Sequence, residues 1–370
     1  MIFADNAATT QLDFEAFEAM KPFLLNEYGN ASQPYSFARE PKKAIKNARQ
    51  IIASLINASP EEIYFTSGGT ESDNWAIKSV AGSIQEKKSI ITSAIEHHAV
   101  LNSCKAVERS GNPVIYLKPD HQGVITPHIL ESSITDNTKL VSIMFANNEI
   151  GTIEPLYELA QISHEHGALF HTDAVQAVGH VRINVKELKV DMLSASAHKF
   201  NGPKGVGFLY VRKGTDIQPF NDGGSQEFGM RAGTENVAGI VGMAVALRNN
   251  IATIDENTNH LLKLEKLLIE GIKDYDCIRN GSVNHIPGNV SLSFKNSDGE
   301  MLLHRLDLAG VMVSTGSACN SGQTGISHVL KAICLDESYA TGTIRISFGK
   351  NNSESDVEHV IASLRKILSE

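Results

Sequence analysis

Residues Lys139–Thr172 read KLVSIMFANNEIGTIEPLYELAQISHEHGALFHT, and the pattern of this segment indicates the fold class. An apolar run of strand length, Lys139–Phe145, opens it, and a second run, Ala168–Thr172, closes it. Between them, Pro155–Glu165 repeats apolar residues at the period of a helix. Two strands joined by a helix form a crossover unit, in which the strands lie parallel in one sheet. The stretch therefore predicts a parallel α/β sheet.

The same alternation extends outward on both sides of this stretch. Three more segments have the length and composition of strands, and two more have those of helices. The strands are Ser89–Ala94, Pro113–Leu117 and Gly205–Val211, and the helices are Pro41–Ile56 and Glu71–Val80. Repeated crossover units predict a mostly parallel, doubly wound sheet. Ligands bind such sheets at the carboxyl ends of the strands, so residues that follow strands are site candidates.

The character of the sequence changes near Asn249. Leu261, Leu264, Leu268 and Ile272 form one helical stripe in a segment rich in Lys and Glu. Two strand-like pieces and an amphipathic helix follow, at Asn289–Phe294, Thr343–Phe348 and Ser353–Leu368. We therefore predict a large domain over residues 14–250 and a smaller α+β domain made of residues 1–13 and 251–370.

Composition and charge limit the function classes. A chain of 370 residues suits one large and one smaller domain. Its net charge of −9 argues against nucleic acid or an anionic membrane as the main partner. No apolar run approaches the roughly 20 residues of a membrane helix, and Met1–Thr10 lacks the pattern of a signal peptide. We expect a cytoplasmic protein whose four cysteines, without CxxC spacing, are free thiols.

Two motifs follow the first predicted strands. Thr66–Ser72, TSGGTES, joins the apolar run Ile63–Phe65 to a helix. Its glycines let the backbone approach a ligand, the helix start offers N–H groups to an anion, and Thr70 can contact a phosphate. The same turn can equally be only a turn. Glu96-His97-His98 follows the next strand, where a histidine can stack on an aromatic cofactor or can be a satisfied structural residue.

Two further motifs contain one candidate each, Asp173 at the end of the strand Ala168–Thr172 and Lys199 before the strand Gly205–Val211. Asp173, in His171–Gln176, can hold a pyridine nitrogen protonated beneath a cofactor ring, although a helix N-cap is the simpler interpretation. Lys199 lies among small residues in Ser194–Gly205, SASAHKFNGPKG. A lysine in a partly dry site has a lowered pKa and can form an imine, whereas Lys204 resembles an ordinary exposed lysine.

Two candidates lie in the C-terminal third. Cys319 is surrounded by small polar residues in Ser314–Gly322, STGSACNSG, which predicts a loop that exposes its thiol. Cys104, Cys277 and Cys334 have no comparable surroundings. Arg345 occupies an alternating strand position, where its planar fork can bind a carboxylate or can simply face solvent.

Together these motifs resemble the cysteine desulfurases of the NifS/IscS type, within the class V aminotransferase superfamily of fold-type I pyridoxal-phosphate (PLP) enzymes. The resemblance runs nearly end to end and follows one chain order. Its markers are Asp5–Thr10, Thr66–Ser72, Glu96–His98, Ala146–Thr152, His171–Gln176, Ser196–Gly207, Arg231–Asn236 and Gly316–Gly322. It implies the PLP-dependent transferase fold of type I and PLP as the cofactor.

The resemblance also implies a role for each matched residue. Lys199 binds the cofactor covalently and moves protons, His98 stacks on the ring and assists proton transfer, and Cys319 receives sulfur as a persulfide. The implied cofactor contacts are Gly69, Thr70, Asp173, Gln176, Ser196, His198 and Thr234, and the implied substrate contacts are Asn30, Asn147 and Arg345. Asp173 pairs with the ring nitrogen and Gln176 bonds the ring oxygen. The others among the cofactor contacts hold the phosphate, Thr234 that of the partner subunit.

The expected reaction converts L-cysteine to L-alanine and supplies sulfur for iron–sulfur cluster assembly or tRNA thiolation. The expected assembly is a homodimer that meets a sulfur acceptor or an iron–sulfur scaffold protein. No intrinsic metal is expected, although Cys319 can share a cluster with a scaffold. The alternatives are a selenocysteine lyase or cysteine sulfinate desulfinase, a non-catalytic PLP-binding paralogue, and an aminotransferase, which has no use for the segment around Cys319.

Overall fold

The central element of the computed structural model, which describes residues 1–82, 88–315 and 325–369, is a sheet of seven strands. In chain order these are β2 (Ile63–Thr66), β3 (Ser89–Ser93), β4 (Val114–Leu117), β5 (Thr138–Ser142), β6 (Leu169–Asp173), β7 (Met192–Ser196) and β8 (Gly207–Val211). Their order across the sheet is β2-β8-β7-β6-β5-β3-β4. β8 runs antiparallel to β2 and β7, and the other pairs are parallel. The predicted mostly parallel sheet is therefore confirmed.

The parallel strands place their carboxyl ends at one edge of the sheet. β5 ends at Ser142, three residues before the predicted end at Phe145. The backbone N–H groups of Ile143 and Phe145 nevertheless donate to His171 O and Asp173 O, at 3.1 and 2.8 Å. The chain thus stays beside β6 beyond the regular strand, and it delivers the following residues to the same edge as Asp173.

Helices cover both faces of the sheet. The helices of this part are α1 (Phe14–Leu25), α2 (Arg39–Leu55), α3 (Gly69–Gly82), α4 (His98–Arg109), α5 (Pro127–Glu131), α6 (Leu156–Glu165), α7 (Val185–Leu188) and α8 (Val237–Ala252). α4 begins directly after His97, whose Nδ1 accepts the N–H of Ala99 at 3.2 Å. Large apolar side chains such as Trp75, Phe170 and Phe208 are fully buried between these layers.

α8 is the most apolar of these helices and packs against α1 and α2. The next helix, α9 (Ile254–Ile272), begins two residues later and is bent by 70° relative to α8. Across residues 1–82, 88–315 and 325–369, no single helix is long and apolar enough to cross a membrane, whereas this bent pair passes on length and composition alone.

A second core lies in the C-terminal part. The elements of this C-terminal part are β9 (Cys277–Asn280), β10 (Asn289–Phe294), α10 (Gly299–Leu308), β11 (Val311–Met312), α11 (His328–Ala332), α12 (Glu337–Ala340), β12 (Thr343–Ser347) and α13 (Glu354–Leu368). β10 is central in an antiparallel sheet ordered β12-β10-β9, and the short N-terminal strand β1 (Ile2–Phe3) pairs with β11. The predicted stripe Leu261, Leu264, Leu268 and Ile272 is buried in this core. The boundaries at 13/14 and 250/251 stay a prediction.

Candidate active site

The turns after β2, β6 and β7 pack directly on one another. A Cβ atom added to Gly69 would lie 2.4 Å from Val175 Cγ2, and one added to Gly68 would lie 3.4 Å from Ser196 Oγ. A Cβ on Gly207 would lie 2.7 Å from the Cα of Gly68. Only glycine allows the backbone this close approach. The sequence motifs at Gly69, Asp173 and Ser196 are thus brought together at the sheet edge.

Lys199 lies at the end of a short 3₁₀ turn, Ala197–Lys199, which directly follows β7. Its Nζ donates to the backbone carbonyls of Ala7 and Ala8, at 2.5 and 2.9 Å. The ring of His180 bonds the carbonyl of Lys199 at 2.8 Å. The N-terminal segment therefore holds the amino group at the carboxyl ends of the strands.

Asp173 is a buried carboxyl group at the end of β6. Its Oδ1 accepts the N–H of Val175 at 2.9 Å. Burial raises the pKa of Asp173 to about 6, the Val175 bond and the positive charge of Lys199 both acting in the opposite direction. A carboxylate in such a dry position favours a cationic partner. The protonated pyridine nitrogen expected of PLP fits this requirement.

Neutral donors surround the two charged groups. Burial, with Lys199 and Lys204 nearby, lowers the pKa of His198 to about 4, and its Nδ1 lies 3.2 Å from Thr9 Oγ1. Thr70 is exposed in the first turn of α3, and Ser196 ends β7 with its side chain toward the Gly68 turn. A neutral imidazole, two hydroxyls and helix N–H groups form a donor set that suits a phosphate.

Gln176 and His98 have different surroundings. Gln176 Nε2 donates to Ala7 O at 3.0 Å, and the predicted contact to a ring oxygen would use the second N–H of the same amide. The ring of His98 lies 4.9 Å from the ring of His328 and 6.3 Å from that of His97. Burial, with Lys199 and His98 adding to it, lowers the pKa of His97 to about 4. Both calls stay predictions of cofactor contacts.

The predicted substrate residues Asn147 and Arg345 lie next to each other. Arg345 Nη1 donates to Asn148 O and Nη2 to Asp5 Oδ1, both at 2.7 Å. Its Nε is buried without a hydrogen-bond partner among the described residues. An unused donor on a buried guanidinium suits a substrate carboxylate. Asn147 is fully buried and uses its amide within the protein, to Ile95 O and to the N–H groups of Glu149 and Ile150.

Asn30 and Thr234 lie on a second pair of segments that contact each other. Asn30 Oδ1 accepts the N–H of Ser32 at 2.9 Å, and Ser32 Oγ donates to Glu235 Oε1 at 3.4 Å. Thr234 itself is exposed. Exposure suits a residue that serves a neighbouring subunit, and the roles of Asn30 and Thr234 stay predictions.

Cys319 lies outside the described residues. Burial raises the pKa of Cys104 to about 12 and also raises that of Cys277, so neither thiol ionises readily. Cys334 is exposed. Within residues 1–82, 88–315 and 325–369, no group of His, Cys, Asp and Glu side chains is arranged to hold a metal ion.

Several contributors to this site were missed by sequence reasoning. Asp5 binds the fork of Arg345, and the carbonyls of Ala7 and Ala8 bind Lys199. The marker Asp5–Thr10 indicated the segment without a role for any of its residues. Backbone carbonyls have no side-chain signature, so only the three-dimensional arrangement reveals them.

Comparisons with known proteins agree with this geometry. The profile described as Aminotransferase class-V matches residues 2–360. A protein of Dictyoglomus turgidum named Cysteine desulfurase IscS is 49% identical and is covered over 94% of its length by 99% of this chain. A protein of Methanosarcina thermophila with the same name is 48% identical, with 92% of it and 99% of this chain covered.

Solved structures give the same answer. One titled NifS-like protein superposes with a TM-score of 0.95 at 39% identity, over 100% of this chain and 99% of that one. Another, titled SspA in complex with cysteine, has a TM-score of 0.86 at 37% identity, over 95% of this chain and 100% of that one. The chain therefore belongs to the class-V aminotransferase family and, within it, to the PLP-dependent cysteine desulfurases.

Proposed function

We propose that this chain converts L-cysteine to L-alanine and leaves the sulfur as a persulfide on Cys319. The observation that supports this most directly is the union of three groups at one edge of the sheet. Lys199 supplies an amino group, Asp173 a buried carboxyl group, and Arg345 a buried guanidinium with an unused Nε donor. A related structure solved with cysteine adds support for the substrate.

PLP, when bound, supplies a ring that absorbs the negative charge released when the α-proton of the substrate is removed. Asp173 would keep the ring nitrogen protonated, because its carboxylate has no cationic hydrogen-bond partner among the described residues. Gly69, Thr70, Ser196 and His198 would hold the phosphate. His98 would stack on the ring, and Gln176 would bond the ring oxygen.

Lys199 would hold and move the proton. Its Nζ lies between two backbone carbonyls at 2.5 and 2.9 Å, and these acceptors orient the amino group. These carbonyls accept hydrogen bonds but take no proton. Once the substrate's own amino group has taken its place, the Lys199 amino group can therefore exchange a proton with Cα of the substrate. The substrate's carboxylate would bind Arg345, with Asn147 beside it.

Sulfur transfer then requires one thiolate. The Cys319 thiolate attacks the substrate sulfur, a sulfur–sulfur bond forms, and the bond between that sulfur and Cβ breaks. The electron pair of the broken bond stays on Cβ, which takes up a proton, and the return of the α-proton to Cα then gives alanine. The raised pKa values of Cys104 and Cys277 make these two thiols poor sources of a thiolate, which supports Cys319 as the nucleophile.

The proposed assembly is a homodimer. Six aromatic side chains are exposed on described segments near the Asn30 and Thr234 segments: Phe14, Phe17, Tyr28, Tyr35, Phe37 and Phe228. Exposed apolar surface of this kind favours a protein interface. Thr234 would then reach the phosphate bound by the partner subunit. We also propose a cytoplasmic location, a sulfur acceptor or iron–sulfur scaffold as the partner, and no direct contact with nucleic acid or membrane.

The test compares the wild type with Cys319→Ala and Cys334→Ala, each incubated with L-cysteine and a thiol reductant. The wild type and Cys334→Ala should release sulfide and alanine in equal amounts. Cys319→Ala should lose at least about 10³-fold of this activity, because the nucleophile is gone.

Two other outcomes have distinct meanings. Undiminished turnover in Cys319→Ala would exclude the persulfide route and favour a lyase for selenocysteine or cysteine sulfinate. A wild type that binds PLP but releases neither product would favour a non-catalytic paralogue.

A further inference from the structure

The segment that contains Cys319 is flanked by two described stretches, and both contact the substrate side of the site. On the N-terminal flank, Ser314 and Arg345 exchange two backbone hydrogen bonds, N–H to O at 3.1 and 2.6 Å. On the C-terminal flank, Ser327 Oγ donates to Glu149 Oε2 at 2.5 Å. The residue expected to bind the substrate's carboxylate is therefore paired with one flank.

Glu149 connects the other flank to the same region. Its backbone N–H donates to Asn147 Oδ1 at 2.8 Å, and the residue before it bonds Arg345 through its carbonyl. Both Glu149 and Ser327 are buried, at 5% and 4% exposure, so water does not compete for their hydrogen bond. A charge-assisted bond in such a place is short and strong.

Ser327 also determines how the chain continues. Its Oγ accepts the N–H of Val329 at 3.0 Å, which starts α11. The first residue of α11, His328, bonds Glu96 O at 3.0 Å and places its ring 4.9 Å from the ring of His98. The hydroxyl that Glu149 binds thus also orients the residue that contacts the expected cofactor-stacking histidine.

We propose that Glu149 is a positioning residue for sulfur transfer, which acts by fixing Ser327 and the start of α11, on the C-terminal flank of the segment that contains Cys319. This inference rests on the proposed function, since it concerns the step in which the Cys319 thiolate meets the substrate sulfur. Neither Glu149 nor Ser327 belongs to the predicted cofactor or substrate contacts. The step that depends on Glu149 is therefore persulfide formation, and cofactor binding and the spectral response to cysteine do not depend on it.

The charge of Glu149 makes this dependence measurable. Burial raises the pKa of Glu149 to about 7, whereas the Ser327 bond and Arg345 oppose the rise. Glu149→Gln removes the charge and keeps the shape, so it weakens the bond to Ser327 without opening a cavity. Glu154→Gln is a matched control, because Glu154 is buried at 4% exposure and, among the described residues, its carboxylate accepts only the N–H of Ile125, at 2.8 Å.

The experiment mixes each PLP-loaded variant with one equivalent of L-cysteine and follows two signals. The first is the absorbance change of the cofactor, and the second is the persulfide on Cys319, trapped by alkylation and quantified by mass spectrometry. In Glu149→Gln we expect persulfide formation to slow about 10- to 100-fold while the absorbance change keeps its rate. Glu154→Gln should match the wild type in both signals.

A double-mutant cycle tests the route through Ser327. Ser327→Ala should slow persulfide formation, and adding Glu149→Gln to it should have little further effect. The proposal is overturned if Glu149→Gln slows both signals equally or neither, or if the two substitutions act independently. A wild type that forms no persulfide on Cys319 would instead contradict the proposed function, which separates the two failures.

Discussion

The two sides of the site are held together in different ways. On the cofactor side, Gly69, Asp173 and Ser196 each end or follow a strand, and their turns pack backbone against backbone. On the substrate side, single side-chain bonds join segments that are far apart in sequence. Arg345 and Asp5 are 340 residues apart, and Ser327 and Glu149 are 178 residues apart.

This difference predicts that the two sides of the site respond differently to substitution. The sheet determines the positions of the cofactor residues, so a single substitution there changes chemistry more than geometry. The substrate residues depend on bonds that each have one donor and one acceptor, so a single substitution there changes position. Substitutions on the two sides should accordingly affect different kinetic quantities.

Of the substitutions that compare the two sides, Asp173→Asn on the cofactor side has the largest expected effect. The substitution removes the negative charge beneath the ring, and we expect activity to fall on the order of 10²- to 10³-fold. The pKa of Asp173 is raised to about 6, so the carboxylate and its contribution to PLP binding are present above that pH and lost below it. Titration of the apoprotein with PLP from pH 5 to 8 measures this contribution as the difference between wild type and variant.

Asp191→Asn is the control for this prediction. Asp191 is equally buried but lies at the opposite end of the sheet, just before β7, where it accepts the N–H of Phe170 at 2.7 Å. Its substitution should cost stability and leave the pH dependence of PLP binding unchanged. Equal pH dependence in wild type and Asp173→Asn would contradict the assigned role.

The cofactor side is also the one that the sequence predicted well. The motifs at Gly69 and Asp173 follow predicted apolar runs, whereas β7, which leads to Ser196 and Lys199, was not predicted. The predicted strands of the seven-stranded sheet differ from the observed ones by one or two residues, except β5, and in the smaller sheet Asn289–Phe294 has the predicted bounds. β5 is shorter because the chain after Ser142 keeps its bonds to β6 while leaving regular geometry.

The substrate side was predicted only through the family resemblance. Arg345 could be recognised as a candidate fork, but Asp5 and Glu149 have ordinary local surroundings in the sequence. Asp5 reaches Arg345 because residue 5 pairs with Ser347 at the end of β12, and Glu149 reaches Ser327 because Ile150 packs in one cluster with α11. Such long-range contacts are set by tertiary packing, which local patterns do not encode.

A smaller effect is expected on the substrate side, for Arg345→Lys. Lysine keeps the charge but cannot present two parallel donors to a carboxylate. We expect KM for L-cysteine to rise about 10- to 100-fold, with a much smaller change in kcat and an unchanged cofactor absorbance. Arg279→Lys is the control, because Arg279 lies on β9, at the other edge of the same three-stranded sheet, and pairs with Glu265 at 2.7 Å. A fall in kcat with constant KM would place Arg345 outside substrate binding.

The smallest effect is expected for Glu96→Gln and concerns the stability of the protein. Glu96 lies between the cofactor side and the substrate side. Its Oε1 accepts Ser93 Oγ at 2.7 Å and Met144 N at 2.9 Å, and its backbone carbonyl binds His328. Burial raises the pKa of Glu96 to about 8, with the two hydrogen bonds opposing and Asp173 adding to the rise. The folded protein thus keeps a proton that the unfolded chain releases above about pH 4.3.

This proton makes the stability of the protein depend on pH in a defined direction. Between about pH 5 and 8 the wild type loses stability through Glu96 as the pH rises, and Glu96→Gln does not. We expect the melting temperature of Glu96→Gln, relative to wild type, to increase by about 1–2 °C per pH unit across this window. Thermal melts of both apoproteins at pH 5, 6, 7 and 8 measure it. If the difference in melting temperature between Glu96→Gln and wild type stays constant with pH, Glu96 is ionised in the folded protein. A buried carboxylate would then lie between the cofactor side and the substrate side.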